Sequence, residues 1–275
     1  MTHRLQHALP CLLALLVVAV TACGRTQQTL SPEAASAKGD ALLKEMSKNV
    51  SSLQTFAYTV DERRQKPGAK GERTVTRHVT VRRPNKVAFT GKGDAGDTAG
   101  WYDGKQLTLV SHRDKVWARG PMPPTLDEAL DFLSNEYDVQ MAAADLLYSS
   151  PYDAFMTKDT VGGWVDTQKI GDRDCEHLAY RQPVVDWELW LSSDRKLPCQ
   201  LKVTYKQVPG SPSTLVTYRG GVETNQVTDD TFVPKVPDGY QRIKILRHAT
   251  VIDPKLDEPS PENTKAAAAG TKRTK

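Results

Sequence analysis

Apolar positions along this chain follow two rhythms, and the change between them divides it. From Ala34 to Leu53, residues Ala41, Leu42, Met46, Val50 and Leu53 recur at helical intervals, with Lys44, Glu45 and Lys48 between them. That spacing predicts an amphipathic helix. Ser31-Pro32-Glu33 supplies its start, with serine as cap and proline in the first turn. From Thr55 the period drops to two: Phe56, Tyr58 and Val60 alternate with Thr55, Ala57, Thr59 and Asp61. Residues Gln65 to Gly71 read as a turn, and Val75, Val79 and Val81 mark the returning strand. Val87 and Phe89 follow the Arg83-Pro84-Asn85 turn. Trp101-Tyr102, the Asp103-Gly104 turn and Leu107 with Leu109 predict a further hairpin, and Val116-Trp117-Ala118 another strand.

The middle of the chain returns to the helical rhythm. Leu126, Ala129, Leu130 and Leu133 share one helical face, and Met141 to Leu147 suggests a second helical stretch, with Pro121, Pro123, Pro124 and Pro151 around them. After Gly162-Gly163 the strand pattern resumes. Val185, Trp187, Leu189 and Leu191 fall on one face of a strand, and Leu201, Val203 and Tyr205 on one face of the next. Leu215 to Tyr218 follow, and Ile243, Ile245 and Leu246 close the set. Strands joined by short turns pair antiparallel, because parallel neighbours need long crossovers. The expected class is therefore α+β, mainly antiparallel β. A long sheet of this kind can curl into a half-open barrel, with the N-terminal helix and the helical insertion acting as plug or lid. Trp187, Leu189, Leu201, Val203 and Tyr205 are then candidate cavity walls, and Leu126, Leu130 and Leu133 are either a lid over the mouth or a core helix. The pattern does not say which sheet face is the cavity.

The two ends read differently. Cys11 to Val20 is an uncharged apolar run behind a weakly basic start. At about ten residues it falls well short of the roughly 20 that span a bilayer, so it reads as a secretory signal. The stretch Val20-Thr21-Ala22-Cys23-Gly24 resembles the lipobox of bacterial lipoproteins. That resemblance implies cleavage before Cys23 and a diacylglyceryl group on its thiol. Gly24, in place of an acidic residue, points to the outer membrane. The expected organisation is a signal over 1–22, a lipidated tether over 23–36, a β-rich domain over 37–250 and a disordered tail over 251–275. The tail carries almost no bulky apolar side chain.

Charge and chemistry narrow the function by exclusion. The chain has 37 Lys plus Arg against 33 Asp plus Glu, and removing 1–22 takes away Arg4 alone, leaving 36 minus 33, or +3. No basic run or aromatic-interleaved stripe accompanies the pI of 8.8, so nucleic acid is not an expected partner. With Cys11 in the signal and Cys23 acylated, Cys175 and Cys199 remain as a pair in an oxidising compartment, where a disulfide is expected. In a simple meander their strands would sit about 9–10 Å apart, beyond the roughly 7 Å that a bridge tolerates. Asp172-Arg-Asp-Cys-Glu-His177 is the densest polar cluster, but strand neighbours alternate faces, so it reads as a turn into a strand and no metal is expected. His78, His112, His177 and His248 sit beside no nucleophile elbow or zinc-helix motif, so neither an enzyme nor a cofactor is expected.

Several short motifs, taken in order, resemble a known superfamily. The helix leading into Leu53-Gln-Thr-Phe-Ala-Tyr58, then Arg83-Pro-Asn-Lys-Val87, then Trp101-Tyr-Asp-Gly-Lys105, is similar to the lipoprotein-carrier (LolA/LolB-like) superfamily. Cys175-Glu-His-Leu-Ala-Tyr180, Asp186-Trp-Glu-Leu-Trp-Leu191, Leu197-Pro198, Phe232-Val-Pro234 and Pro237-Asp-Gly-Tyr240 resemble an uncharacterised family of predicted periplasmic proteins of that fold, over about residues 38 to 247. The resemblance implies a concave apolar surface that shelters acyl chains, a lipid or a lipoprotein. A chain that carries its own anchor does not shuttle as a soluble carrier does, so a receptor or chaperone role follows. Two other readings stand beside it. One is an envelope scaffold or stress sensor that binds a protein partner with no ligand inside, and the other is a hydrolase whose titratable groups converge from distant positions.

Overall fold

The computed structural model describes residues 30–68, 70–137, 144–223 and 227–244. The predicted signal, Cys23 and the C-terminal tail lie outside the described residues, as do Ile245, Leu246 and the first part of the Met141–Leu147 stretch. The first helix, α1, covers Pro32–Ser51, and Ser31 caps it by accepting a hydrogen bond from the Ala34 amide at 3.2 Å. The helix therefore begins five residues before the domain start expected at position 37. Proline at its first position costs nothing, because that amide has no partner within a helix.

Twelve strands are described: β1 Thr55–Gln65, β2 Glu72–Arg82, β3 Lys86–Gly93, β4 Thr98–Tyr102, β5 Gln106–Ser111 and β6 Val116–Pro121 in the first half, then β7 Val161–Ile170, β8 Arg173–Arg181, β9 Val185–Ser192, β10 Pro198–Tyr205, β11 Ser213–Glu223 and β12 Gln241–Ile243. They form one sheet in the order β12-β6-β5-β4-β3-β2-β1-β11-β10-β9-β8-β7. Every neighbouring pair is antiparallel except β6 with β12. Chain order explains this arrangement. Strands β2 to β6 fan out on one side of β1, and strands β7 to β11 return to its other side through the β1–β11 ladder. The sheet curls but stays open, since its end strands β12 and β7 do not pair with each other.

Between β6 and β7 the insertion forms α2 (Leu126–Tyr137), a 3-10 turn (Ala144–Leu147) and α3 (Pro151–Phe155). With α1, these cover the concave face. Leu42, Leu43, Met46 and Val50 of α1, Leu126, Ala129 and Leu130 of α2, and Leu146, Leu147 and Phe155 pack with the inward side chains of the sheet in one buried cluster. A smaller cluster sits on the convex face, where Phe232, Val227, Val236 and Tyr240 pack on Ala88, Ala99, Trp101, Val110 and Trp117. Among the described residues no helix is long and apolar enough to cross a membrane.

Cys175 and Cys199 are bonded, with Cα atoms 6.7 Å apart. They sit on β8 and β10 with β9 between them, the arrangement for which a regular meander predicts about 9–10 Å. Two features close the gap. Strand β9 ends at Ser192, opposite Cys175. In addition, Cys199 is the extra residue where the β9–β10 register slips between Pro198 and Gln200. The bridge thus passes over the end of the middle strand rather than across its body.

Helix α1 approaches strand β7 so closely that two glycines must face each other. A Cβ on Gly39 would lie 2.7 Å from Gly163 Cα, Trp164 N and Tyr180 Oη, and one on Gly163 would lie 2.5 Å from Ala35 O. Backbone on both sides leaves little room to relax. Gly39→Ala is expected to cost about 1–3 kcal/mol of stability, as overpacking does. Urea denaturation checks this; an unchanged midpoint would show that the helix does not seat on β7 at this distance.

Candidate functional site

Trp187, Leu189 and Leu201 are 3, 0 and 0 % exposed and share the central core with Leu126, Leu130 and the half-buried Leu133 and Val203. The structure thus brings seven of the eight candidate lining residues together. The eighth, Tyr205, is half-buried at the end of β10, outside this cluster. The cluster lies on the concave face, which settles the orientation that the alternation left open.

Other side chains fill the space those residues were expected to enclose. Phe155 of α3 packs on Trp187 with ring centroids 4.9 Å apart, and Tyr180 stacks on the same indole at 4.3 Å. The insertion is held by polar contacts at its ends. Tyr152 donates its hydroxyl to Asp40 at 2.5 Å, Gln182 donates to the Phe155 carbonyl at 2.7 Å, Arg83 donates to the Leu147 carbonyl at 2.9 Å and Tyr102 donates to the Pro123 carbonyl at 2.6 Å. Nothing in the sequence marks Phe155 as a core residue, because a five-residue helix is too short to show a period.

In this core, Trp187 Nε1 and Tyr180 Oη have no hydrogen-bond partner among the described residues. Burial pushes the Tyr180 phenol well above its usual value, and nearby Asp40 and Tyr152 add to the effect. Farther along the strands the concave face turns polar. Glu62 on β1 accepts from Arg77 Nε at 3.2 Å and faces Arg64 Nη2 at 3.0 Å. One surface hollow, of about 420 Å³, is polar and lined by Asp127, Asp131, Asp153, Tyr148 and serines, and another, of mixed lining, lies where Lys66, Lys70 and Glu72 approach Pro209 and Pro212.

The convex face carries a polar constellation. His177, on β8, stacks flat on Trp190 of β9 with centroids 4.4 Å apart and planes 2° from parallel. Its Nδ1 lies 3.2 Å from Asp166 Oδ1 on β7, and its Nε2 lies 3.0 Å from Glu188 Oε2 on β9. Gln168 Nε2 also lies 3.3 Å from the His177 Nδ1. Lys202 on β10 donates to Glu188 Oε1 at 2.8 Å, and Trp190 donates to Gln168 at 2.9 Å. The disulfide packs against Trp190. The carboxylates face opposite nitrogens of one ring, so the three groups converge on the imidazole and leave no shared point for a metal. Among the described residues no set of His, Cys, Asp or Glu has metal-binding geometry. The ring ties neighbouring strands laterally, a structural role for a residue on the strand that the sequence placed after the Asp172-Arg-Asp174 turn.

Burial is the largest single influence on Glu188 and raises its pKa, but hydrogen bonds and charge from Lys202 and then His177 outweigh it and leave the carboxyl below its ordinary value. A depressed carboxylate pKa adds stability above the unfolded value of about 4.3, and that contribution is lost as pH falls through the folded value. Lys202→Met removes the strongest lowering influence. The Glu188 carboxyl is then expected to titrate at higher pH than in the wild type, read by carbon-detected NMR. An unmoved midpoint would mean that the Lys202 contact is not formed in solution.

Distant likenesses of chain path accompany this geometry. A conserved protein from Thermus thermophilus matches with TM-score 0.46 and 10 % identity, over 74 % of this chain and 97 % of that one. LprF from Mycobacterium bovis gives 0.44 and 11 %, over 74 % and 98 %. A LolA superfamily protein from Nitrosomonas europaea gives 0.35 and 12 %, over 72 % and 98 %. No curated protein sequence matches. A family profile matches residues 39–246, the whole sheet with its insertion, and by that match this chain belongs to the DUF2092 family of predicted periplasmic proteins.

Proposed function

We propose that this chain is a membrane-tethered, non-catalytic envelope module that binds a protein partner on its surface, with its concave face occupied by its own helices. In this reading Cys23 carries the lipid anchor, and Gly24 directs the chain to the outer membrane with the domain facing the periplasm. The observation that carries it is the burial of Trp187, Leu189 and Leu201 under α1 and α3. A side chain with no exposed surface has none to offer a ligand. A surface fit for a partner lies at the sheet edge. Among the described residues strand β7 has a neighbour on one side only, and Thr167 and Lys169 on it are exposed. An edge of this kind presents free N–H and C=O groups to an added strand.

One observation favours a second reading, in which an acyl chain or lipid displaces the insertion. The unpartnered Trp187 N–H and Tyr180 O–H would each gain an acceptor from a carboxyl or ester group. The exchange is also near balance. Uncovering Leu126, Leu130, Leu146, Leu147 and Phe155 costs roughly 8–15 kcal/mol at about 1.5–3 each, while an acyl chain of about 15 buried methylenes returns about 12.

Native mass spectrometry with lipid extraction separates the two. The chain freed of its signal and anchor is expected to fly without bound lipid and to show no saturable uptake of a fluorescent fatty acid. A photo-crosslinker at Thr167 is expected to trap a discrete envelope protein in cells. Stoichiometric co-purifying lipid would replace the first reading with the second.

A further inference from the structure

Three of the exposed large apolar side chains gather at one end of the molecule. Val161, Val184 and Leu30 are 73, 54 and 40 % exposed. Val161 starts β7 and pairs with Arg181 at the end of β8. Val184 lies in the turn that follows, where its carbonyl accepts from the Lys206 amide at 3.0 Å. Gln182 of the same turn donates to Thr160 Oγ1 at 2.9 Å, which joins the α3–β7 connection to it. Helix α1 points its N-terminus this way. Ala35 and Ser36 abut Gly163, the next turn of the helix reaches Trp164 and Tyr180, and Asn49 near its other end donates to the Arg195 carbonyl in the β9–β10 turn. Leu30 precedes the helix cap.

The length of chain ahead of that helix says what this end faces. Seven residues lie between Cys23 and Ser31, and the eight chain steps, at about 3.3–3.6 Å each, reach no more than about 28 Å. A domain of about 200 residues has a radius of gyration near 16 Å and so measures roughly 40 Å across. A chain anchored at Cys23 therefore cannot present its far end, the β7–β8 and β9–β10 turns, to the bilayer. It must present the end where α1 begins. That end carries Val161, Val184 and exposed Pro183, with the cations Lys158 and Arg181 and the anions Asp159 and Glu33 around them. Lys206 there is paired with Asp186 at 2.8 Å. Charge is close to balanced, so apolar contact is the main attraction, and the long stems of Lys158 and Arg181 suit the headgroup layer.

We propose that this end, formed by Leu30, Val161 and Val184, is a membrane-contact surface that rests in the lipid headgroup layer and fixes how the domain stands on the bilayer. The orientation argument rests on the Cys23 anchor proposed above, whereas the surface itself can be tested without it. Mature chain carrying Cys23→Ser is sedimented with vesicles of phosphatidylethanolamine and phosphatidylglycerol. Parallel samples carry V161D/V184D, or V233D, which places the same charge at an exposed valine outside this end. The expected result is weak binding by the parent and by V233D, reduced about five-fold or more in V161D/V184D. Equal binding by all three, no binding by any, or binding of V161D/V184D at the parent level overturns the proposal. Whether Cys23 is acylated is read separately, from the mass of the N-terminal peptide of membrane-extracted protein. An unmodified Cys23 with patch-dependent binding removes the anchor and keeps the surface, and an acylated Cys23 without patch dependence does the reverse.

Discussion

The covering of one apolar sheet face by helices of the same chain is the constraint on which the rest of this structure depends. A long antiparallel sheet that curls without closing leaves its concave side chains facing a space, and apolar surface left in water costs about 25 cal/mol per Å². Here α1 enters from before the sheet and α2, the 3-10 turn and α3 enter from its middle, and they meet over β9 and β10. The rest of the design serves that meeting. The glycine pair at 39 and 163 lets α1 sit low on β7. The hydrogen bonds from Tyr152, Gln182 and Arg83 fix the insertion at its ends. The disulfide holds β8 and β10 together beyond the point where β9 stops.

Much of this was legible in the sequence, because alternation and helical spacing are local signals. The Ser31 cap, the helix behind it, the hairpins around Arg83-Pro84-Asn85 and Asp103-Gly104, and the shared face of Trp187, Leu189 and Leu191 all follow from residues within a few positions of one another. What was not legible depends on distant parts of the chain meeting. Pairing of β1 with β11 joins residues about 150 positions apart, such as Asp61 with Thr217. No periodicity announces such a pair. Phe155 fills the space over Trp187 from a helix too short to have a rhythm. The cysteine distance escapes the sequence for a related reason, since a strand end and a register slip are properties of the folded ladder.

The two faces of the β7–β10 region divide the work differently. On the concave side the contacts are apolar and the unpartnered Trp187 Nε1 and Tyr180 Oη are exceptions. On the convex side His177, Glu188, Asp166 and Lys202 form a lateral chain across four strands, backed by Trp190 and the disulfide. A chain of charged hydrogen bonds of this kind stiffens the sheet next to its open edge, where the ladder has lost one neighbour.

A filled interior is the central claim, and Trp187 reports on it directly. With 5-fluorotryptophan incorporated, the fluorine resonance of Trp187 can be followed while a long-chain fatty acid is titrated into the protein. A core already occupied by Phe155 and Tyr180 predicts that this resonance keeps its position through the whole titration. A saturating shift of the Trp187 signal at stoichiometric fatty acid would contradict the account, because it would show that a ligand reaches the floor of the concave face.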